Sequence, residues 1–137
     1  APRAVQSPAT RAEPAAVAAT WTRVVRPDPV LLFRYSALTY NGHPIHYDLP
    51  YAQGVEGYAG LVVHGPLTAT LLQGFASSLR PGQRLVAFEF KGIAPLGGPD
   101  AFPMCAEEEG VGGLLLRVVA ADGRTAMEAA ARFSTQD

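Results

Sequence analysis

One cysteine, one lysine and no long apolar run: these scarcities bound the 137-residue sequence before any motif is read. Cys105 has no partner in the chain, so a disulfide scaffold is excluded and a reducing compartment is favoured. A cytoplasmic setting is expected, with the mitochondrial matrix as the alternative. No stretch approaches the roughly 20 apolar residues that a membrane helix needs, so no membrane partner is expected. Basic residues are few and almost all arginine, Lys91 being the only lysine, and the net charge is −1. Without a basic stripe, nucleic acid is not an expected partner.

What is present is a globular balance, with 48% hydrophobic and 17% charged residues, enough for one compact domain. Residues 1–20 are mostly Ala, Pro, Thr and Arg with almost no large apolar side chain, and are expected to be a disordered linker or tail. The domain is expected over 21–137. Ala1 is not an initiator methionine, so the chain reads as processed, tag-cleaved or part of something longer.

Trp21 to Val25 alternates weakly, as a short strand would. Val30 to Thr39 fits a helix or a strand. Asn41-Gly42-His43-Pro44 is a turn, and Pro44 can open a short helical turn through His46. Residues 47–63 look too rich in Gly for a helix. Gly65-Pro66 then starts the clearest helix, with Leu67, Leu71, Leu72, Phe75 and Leu79 at helical spacing and small residues between them. Apolar or small all round, this helix should be wrapped by other structure. Arg84 to Phe90, Met104 to Glu108, Leu114 to Ala121 and Thr125 to Phe133 read as strands. Asp122-Gly123 reads as a two-residue hairpin turn, and Gly97 to Asp100 as a loop. The expected class is α+β: one long buried helix wrapped by a curved antiparallel β-sheet.

All three histidines, His43, His46 and His64, fall within a short span, and His64 directly precedes the helix start at Gly65. Histidine exchanges protons near neutrality. A helix N-terminus presents free backbone N–H groups. Together they can supply a base beside an oxyanion hole, suited to a thioester enolate. Taken singly, each histidine is more often structural. His43, His46 and Asp48 match no standard metal spacing, so no metal is expected. Cys105 reads as a small core residue. The residues alone carry the reading as far as an acid–base site.

The run Tyr35-Ser36-Ala37-Leu38-Thr39-Tyr40-Asn41-Gly42-His43-Pro44-Ile45-His46, with Ala52 six residues on, resembles the hydratase-2 motif of MaoC-like dehydratases. Tyr35, Leu38, Thr39, Pro44, Ile45, His46 and Ala52 match it. Val62-Val63-His64-Gly65 resembles that family's lead-in to its central helix. The wider stretch looks closest to the type-2 hydroxyacyl-thioester dehydratases and mesaconyl-C4-CoA hydratases. The resemblance implies a hot-dog fold and a hydro-lyase that reversibly hydrates a trans-2-enoyl thioester, on coenzyme A or acyl carrier protein, with no further cofactor. It implies His46 as the acid–base group, Asn41 holding the water, and the Gly65 N–H as the oxyanion hole. Tyr35, Tyr40, His43 and His64 would shape the substrate pocket. Asp48 is a candidate to orient His46, and Arg34, Arg80 and Lys91 are candidates for coenzyme A phosphates.

Three departures matter. The family's usual Asp falls on Asn41, its Gly on Tyr40 and its Asn on His43. Asn41 can orient water but cannot act as a base. Relatives of this subgroup usually carry a preceding hot-dog half, so a second hot-dog is an expected partner: an identical copy, another chain or a missing N-terminal half. A hot-dog thioesterase and a non-catalytic partner subunit are the alternatives.

Overall fold

The computed structural model describes residues 17–98 and 100–134, together with Pro14. The expectation of a disordered tail lies, for residues 1–13, 15 and 16, outside the described residues.

Strand β1 (Trp21–Val25) leads to helix α1 (Pro29–Leu38), which settles the ambiguous Val30 to Thr39 stretch. Its start explains why. Asp28 accepts a hydrogen bond from the Leu31 N–H, and Pro29 stands at the first helical position. The helix ends in a Schellman motif: the N–H of Tyr40 reaches the Ala37 carbonyl, and that of Asn41 reaches the Ser36 carbonyl. Tyr40 holds φ +55° there, a place where glycine is usual.

A single 3-10 turn (Pro44–His46) follows, as Pro44 suggested. The next stretch departs from expectation. Residues Leu49–Gly54 form helix α2, because Asp48 caps it by accepting from the Tyr51 N–H and Pro50 sits in its first turn. Local capping outweighs the glycines nearby, which fall at the helix end and beyond.

Strand β2 (Leu61–Val62) precedes helix α3 (Gly65–Ser78). β3 (Arg84–Gly92), β4 (Gly97–Gly98), β5 (Phe102–Glu109), β6 (Gly113–Val119) and β7 (Thr125–Ser134) complete the chain. The main sheet is antiparallel with order β1-β5-β6-β7-β3. The expected loop at Gly97 to Asp100 contributes β4, which pairs with β2. A Cβ on Gly60 would sit 2.8 Å from the Gly98 carbonyl oxygen, so this pairing requires glycine. The hairpin between β6 and β7 is a three-residue loop rather than a two-residue one: Ala120 and Arg124 still pair, and Gly123 takes φ +86°.

Helix α3 packs across β3, β5, β6 and β7. Leu67, Leu72, Phe75 and Ala76 meet Met104, Leu114, Leu116 and Ala131 in one core. The sheet covers only one face of α3. The expected helix wrapped by a curved antiparallel sheet is found, with Gly65, Pro66, Thr70, Gln73, Gly74 and Ser77 exposed on the side away from the sheet. The covered face holds the large side chains, and the open face holds small and polar ones.

Candidate active site

His46 sits, buried, at the end of the 3-10 turn, which packs against α2, α1 and β2. Its Nδ1 lies 2.7 Å from the Val62 carbonyl oxygen. A carbonyl can only accept, so Nδ1 carries the proton and Nε2 keeps a lone pair. Burial pushes the His46 pKa below the ordinary imidazole value; the Val62 hydrogen bond opposes this and the nearby His43 adds to it. His46 is therefore a neutral base at neutral pH, in a defined tautomer.

A cavity of about 210 Å³ is lined by His46, Gly65 and Thr68, and by Leu96 and Met127 from the far wall. Gly65 is the first residue of α3, where backbone N–H groups have no helical acceptor. Pro66 has no N–H, so the Gly65 N–H is the first donor the helix end can offer, with Leu67 the next. A Cβ on Gly65 would meet nothing within 4 Å. The chain's own packing thus leaves space on the side-chain side of Gly65 open.

His64 belongs to the core rather than to the cavity lining. It is 1% exposed, its ring stacks on His46 with centroids 3.6 Å apart and planes 17° from parallel, and its Nε2 lies 2.7 Å from Ser36 Oγ. Tyr35 is half-buried and meets the His64 ring edge-on at 4.8 Å. Burial, then repulsion from His46, pushes the His64 pKa down to about 4. Ser36 escaped the sequence reading. Its signal was its place one helical turn after Leu32 on the buried side of α1, where a hydroxyl needs a partner.

The other expected site residues are placed differently. Asn41 follows the Schellman motif, and its side-chain oxygen accepts from the His43 N–H at 3.1 Å. With Tyr40, Ser36 and Phe33 it lines a second, open cavity of about 320 Å³. Asn41 and His46 were expected on one pocket; Asn41 lines one cavity with Ser36, and His46 lines another. Tyr40 is 96% exposed. His43 is exposed and caps the 3-10 turn through Nδ1, with its ring 6.1 Å from that of His46. Asp48 caps α2. Arg80 is engaged by Glu108 and lies over the Trp21 ring. Lys91 lines a groove with Glu128 and Arg117 rather than the His46 cavity, and Arg34 is exposed on α1. Among the described residues no cluster of His, Cys, Asp and Glu could hold a metal ion. No helix among them is long and apolar enough to cross a membrane.

The profile of the family described as "Hydroxyacyl-thioester dehydratase type 2" matches residues 2–98. The chain belongs to that family. It is 50% identical over 108 residues to a mesaconyl-C(4)-CoA hydratase of Chloroflexus aurantiacus, a match covering 79% of this chain and 38% of the relative. It is 36% identical over 89 residues to the mitochondrial hydroxyacyl-thioester dehydratase type 2 of Schizosaccharomyces pombe, covering 64% of this chain and 30% of the relative. The chain thus spans well under half the length of these curated relatives. Among solved structures, an (R)-hydratase from A. caviae superposes with a TM-score of 0.72 at 18% identity, covering 85% of this chain and 93% of that one. HtdX of Mycobacterium tuberculosis superposes at 0.65 with 25% identity, covering 82% and 47%. The fold of this type-2 dehydratase family member is the hot-dog.

Proposed function

We propose that this domain carries the chemistry of a hydro-lyase that reversibly adds water across a trans-2-enoyl thioester to give a 3-hydroxyacyl thioester. The observation that supports this reading is the shared cavity: a neutral His46 with a free Nε2 lone pair lines it together with Gly65, the first residue of a helix. His46 takes the proton of the attacking water. The Gly65 N–H receives the thioester oxygen as it gains charge, and one such donor contributes about 3 kcal/mol to the transition state. Asn41 approaches the substrate from the neighbouring cavity and orients water or hydroxyl. The thioester is the substrate and no other cofactor is needed. Its carrier is coenzyme A or acyl carrier protein, and its acyl group is mesaconyl-like or a 3-hydroxyacyl chain.

The functional particle includes a second hot-dog. Support comes from the coverage of HtdX, where this chain matches 47% of the length, and from the complex of two proteins in another neighbour, ChsH1–ChsH2, at a TM-score of 0.70. The free Cys105 thiol suits a reducing compartment such as the cytoplasm.

A panel of enoyl- and 3-hydroxyacyl-thioesters, followed by loss or gain of enoyl absorbance, tests the reading. Release of free thiol without hydration would establish a thioesterase instead. His46→Ala should lower turnover by about 100-fold or more. Unchanged turnover in a folded variant would remove His46 from the mechanism. Asn41→Asp keeps the oxygen that accepts from the His43 N–H and should stay active.

A further inference from the structure

The ring of His64 serves no purpose in the mechanism so far. It is the one large polar side chain in the core with an unpartnered atom: its Nδ1 is buried with no hydrogen-bond partner among the described residues. A buried polar atom of this kind costs stability and calls for an explanation. Three observations define its setting. Ser36 fixes Nε2 at 2.7 Å. Tyr35 meets the ring edge-on. One face lies flat against His46 at 3.6 Å.

Asn41 stands where the family's usual Asp would share the proton work. Without that carboxylate, one imidazole must handle both protons of the hydration. Water attacks the β-carbon and gives a proton to His46 Nε2, while the C=C electron pair moves onto the thioester oxygen. The resulting imidazolium then returns a proton to the α-carbon as the carbonyl re-forms. Both the H and the OH of water end on substrate. The step in between places a positive charge on His46 inside a largely apolar wall.

We infer that Ser36 and His64 are positioning residues that support the His46 imidazolium: Ser36 pins the His64 ring, and the ring offers His46 a neutral π face. This rests on the proposed hydro-lyase reaction. A cation over an aromatic face is stabilised, more so when water is excluded. His64 itself must stay uncharged for this, since a second imidazolium would leave a buried N–H without an acceptor beside a like charge. The groups facing His46 from the surrounding elements are few. His43 lies edge-on at 6.1 Å, with Tyr51 beyond it. The Val62 carbonyl takes Nδ1–H. Gly65, Thr68, Leu96, Ala126 and Met127 line the cavity, and no carboxylate, lysine or arginine is among the lining residues. The adjacent Asp48 is turned to its own helix. The stacked ring is therefore the main support for positive charge on His46 apart from the Val62 carbonyl.

The test is an NMR titration of the His46 ring in the wild type and in His64→Leu, His64→Phe and Ser36→Ala. It reads the charge on His46 whether or not a thioester is turned over, so it can fail separately from the proposed reaction. His64→Leu removes the face and should lower the His46 pKa by about half a unit to one unit. His64→Phe keeps a face and should recover most of that shift. Ser36→Ala should give a smaller shift in the same direction, and it serves alone if the Leu variant fails to fold. On an active substrate, the acid limb of kcat/KM should move down with the NMR value and kcat should fall while KM holds. A His46 pKa unchanged in both His64→Leu and Ser36→Ala would overturn the inference. So would a Phe variant shifted as far as the Leu variant.

Discussion

The His64 ring lies flat against His46, 3.6 Å away, and is held at its edge by the Ser36 hydroxyl. Burial keeps His64 uncharged down to about pH 4, whereas an unfolded chain would protonate it near the ordinary value of 6.5. The folded pKa is depressed, so the unfolded state binds the proton first as pH falls. Stability is full above about 6.5, declines from there to about 4, and levels off below. At pH 4.5 the loss from this one group should be roughly 2 to 3 kcal/mol. Urea midpoints at pH 7.5 and 4.5 measure it. His64→Phe should flatten most of that difference. An equal pH dependence in wild type and variant would show that His64 is not the source.

Gly65 separates folding from chemistry. Its added Cβ would meet no atom of the chain within 4 Å, and its place at the start of a helix suits alanine. Gly65→Ala should therefore fold with an unchanged or slightly higher thermal midpoint. If the Gly65 N–H receives the thioester oxygen, the methyl group narrows the approach to it and kcat/KM should fall by about tenfold or more. Full activity in the variant would move the oxyanion hole elsewhere.

The parts of this molecule that follow from local rules were legible in the sequence. Helix α3 announced itself through Gly65-Pro66 and the Leu67-Leu71-Leu72-Phe75 spacing, and the last strands through alternation. What was missed depended on short-range capping or on contacts distant in sequence. Helix α2 hangs on Asp48, a single cap that outweighs nearby glycines. Strand β4 exists only because Gly60 and Gly98 let two backbones approach. The clustering of histidines was visible in the sequence, but not which of them would be buried. His64 was read as pocket lining, yet Ser36, 28 positions earlier, draws it into the core. Only a partner search for the buried Ser36 hydroxyl would have found this pair.

Tyr40 occupies the left-handed position of the Schellman motif that ends α1, at φ +55°, and is 96% exposed. A side chain there costs roughly 1 to 2 kcal/mol relative to glycine, with little packing in this chain to offset it. Tyr40→Gly should raise the unfolding free energy by about 1 kcal/mol while Asn41 keeps its hydrogen bond to the His43 N–H. Denaturant titration checks the gain. A loss of stability would mean that the tyrosine ring is held by something the isolated chain does not show, such as a second hot-dog.

Assembly gives the broadest prediction. Among the described residues, strand β3 lies at one end of the main sheet, bonded to β7 on one side only. It presents Val86 and Phe90, each about half exposed, and Ile93 just beyond. An open edge nine residues long with exposed apolar side chains invites pairing with another strand, and Lys91 is the only lysine along it. The small-residue face of α3, including Gly65 at the candidate site, is also uncovered. A second hot-dog pairing along β3 would extend the sheet. Sedimentation of active protein should find a particle with two hot-dogs, whether from two copies or a partner chain. Phe90→Lys should weaken that particle, and activity should fall with it while the secondary structure of the chain persists. A fully active monomer with the β3 edge open would refute the pairing.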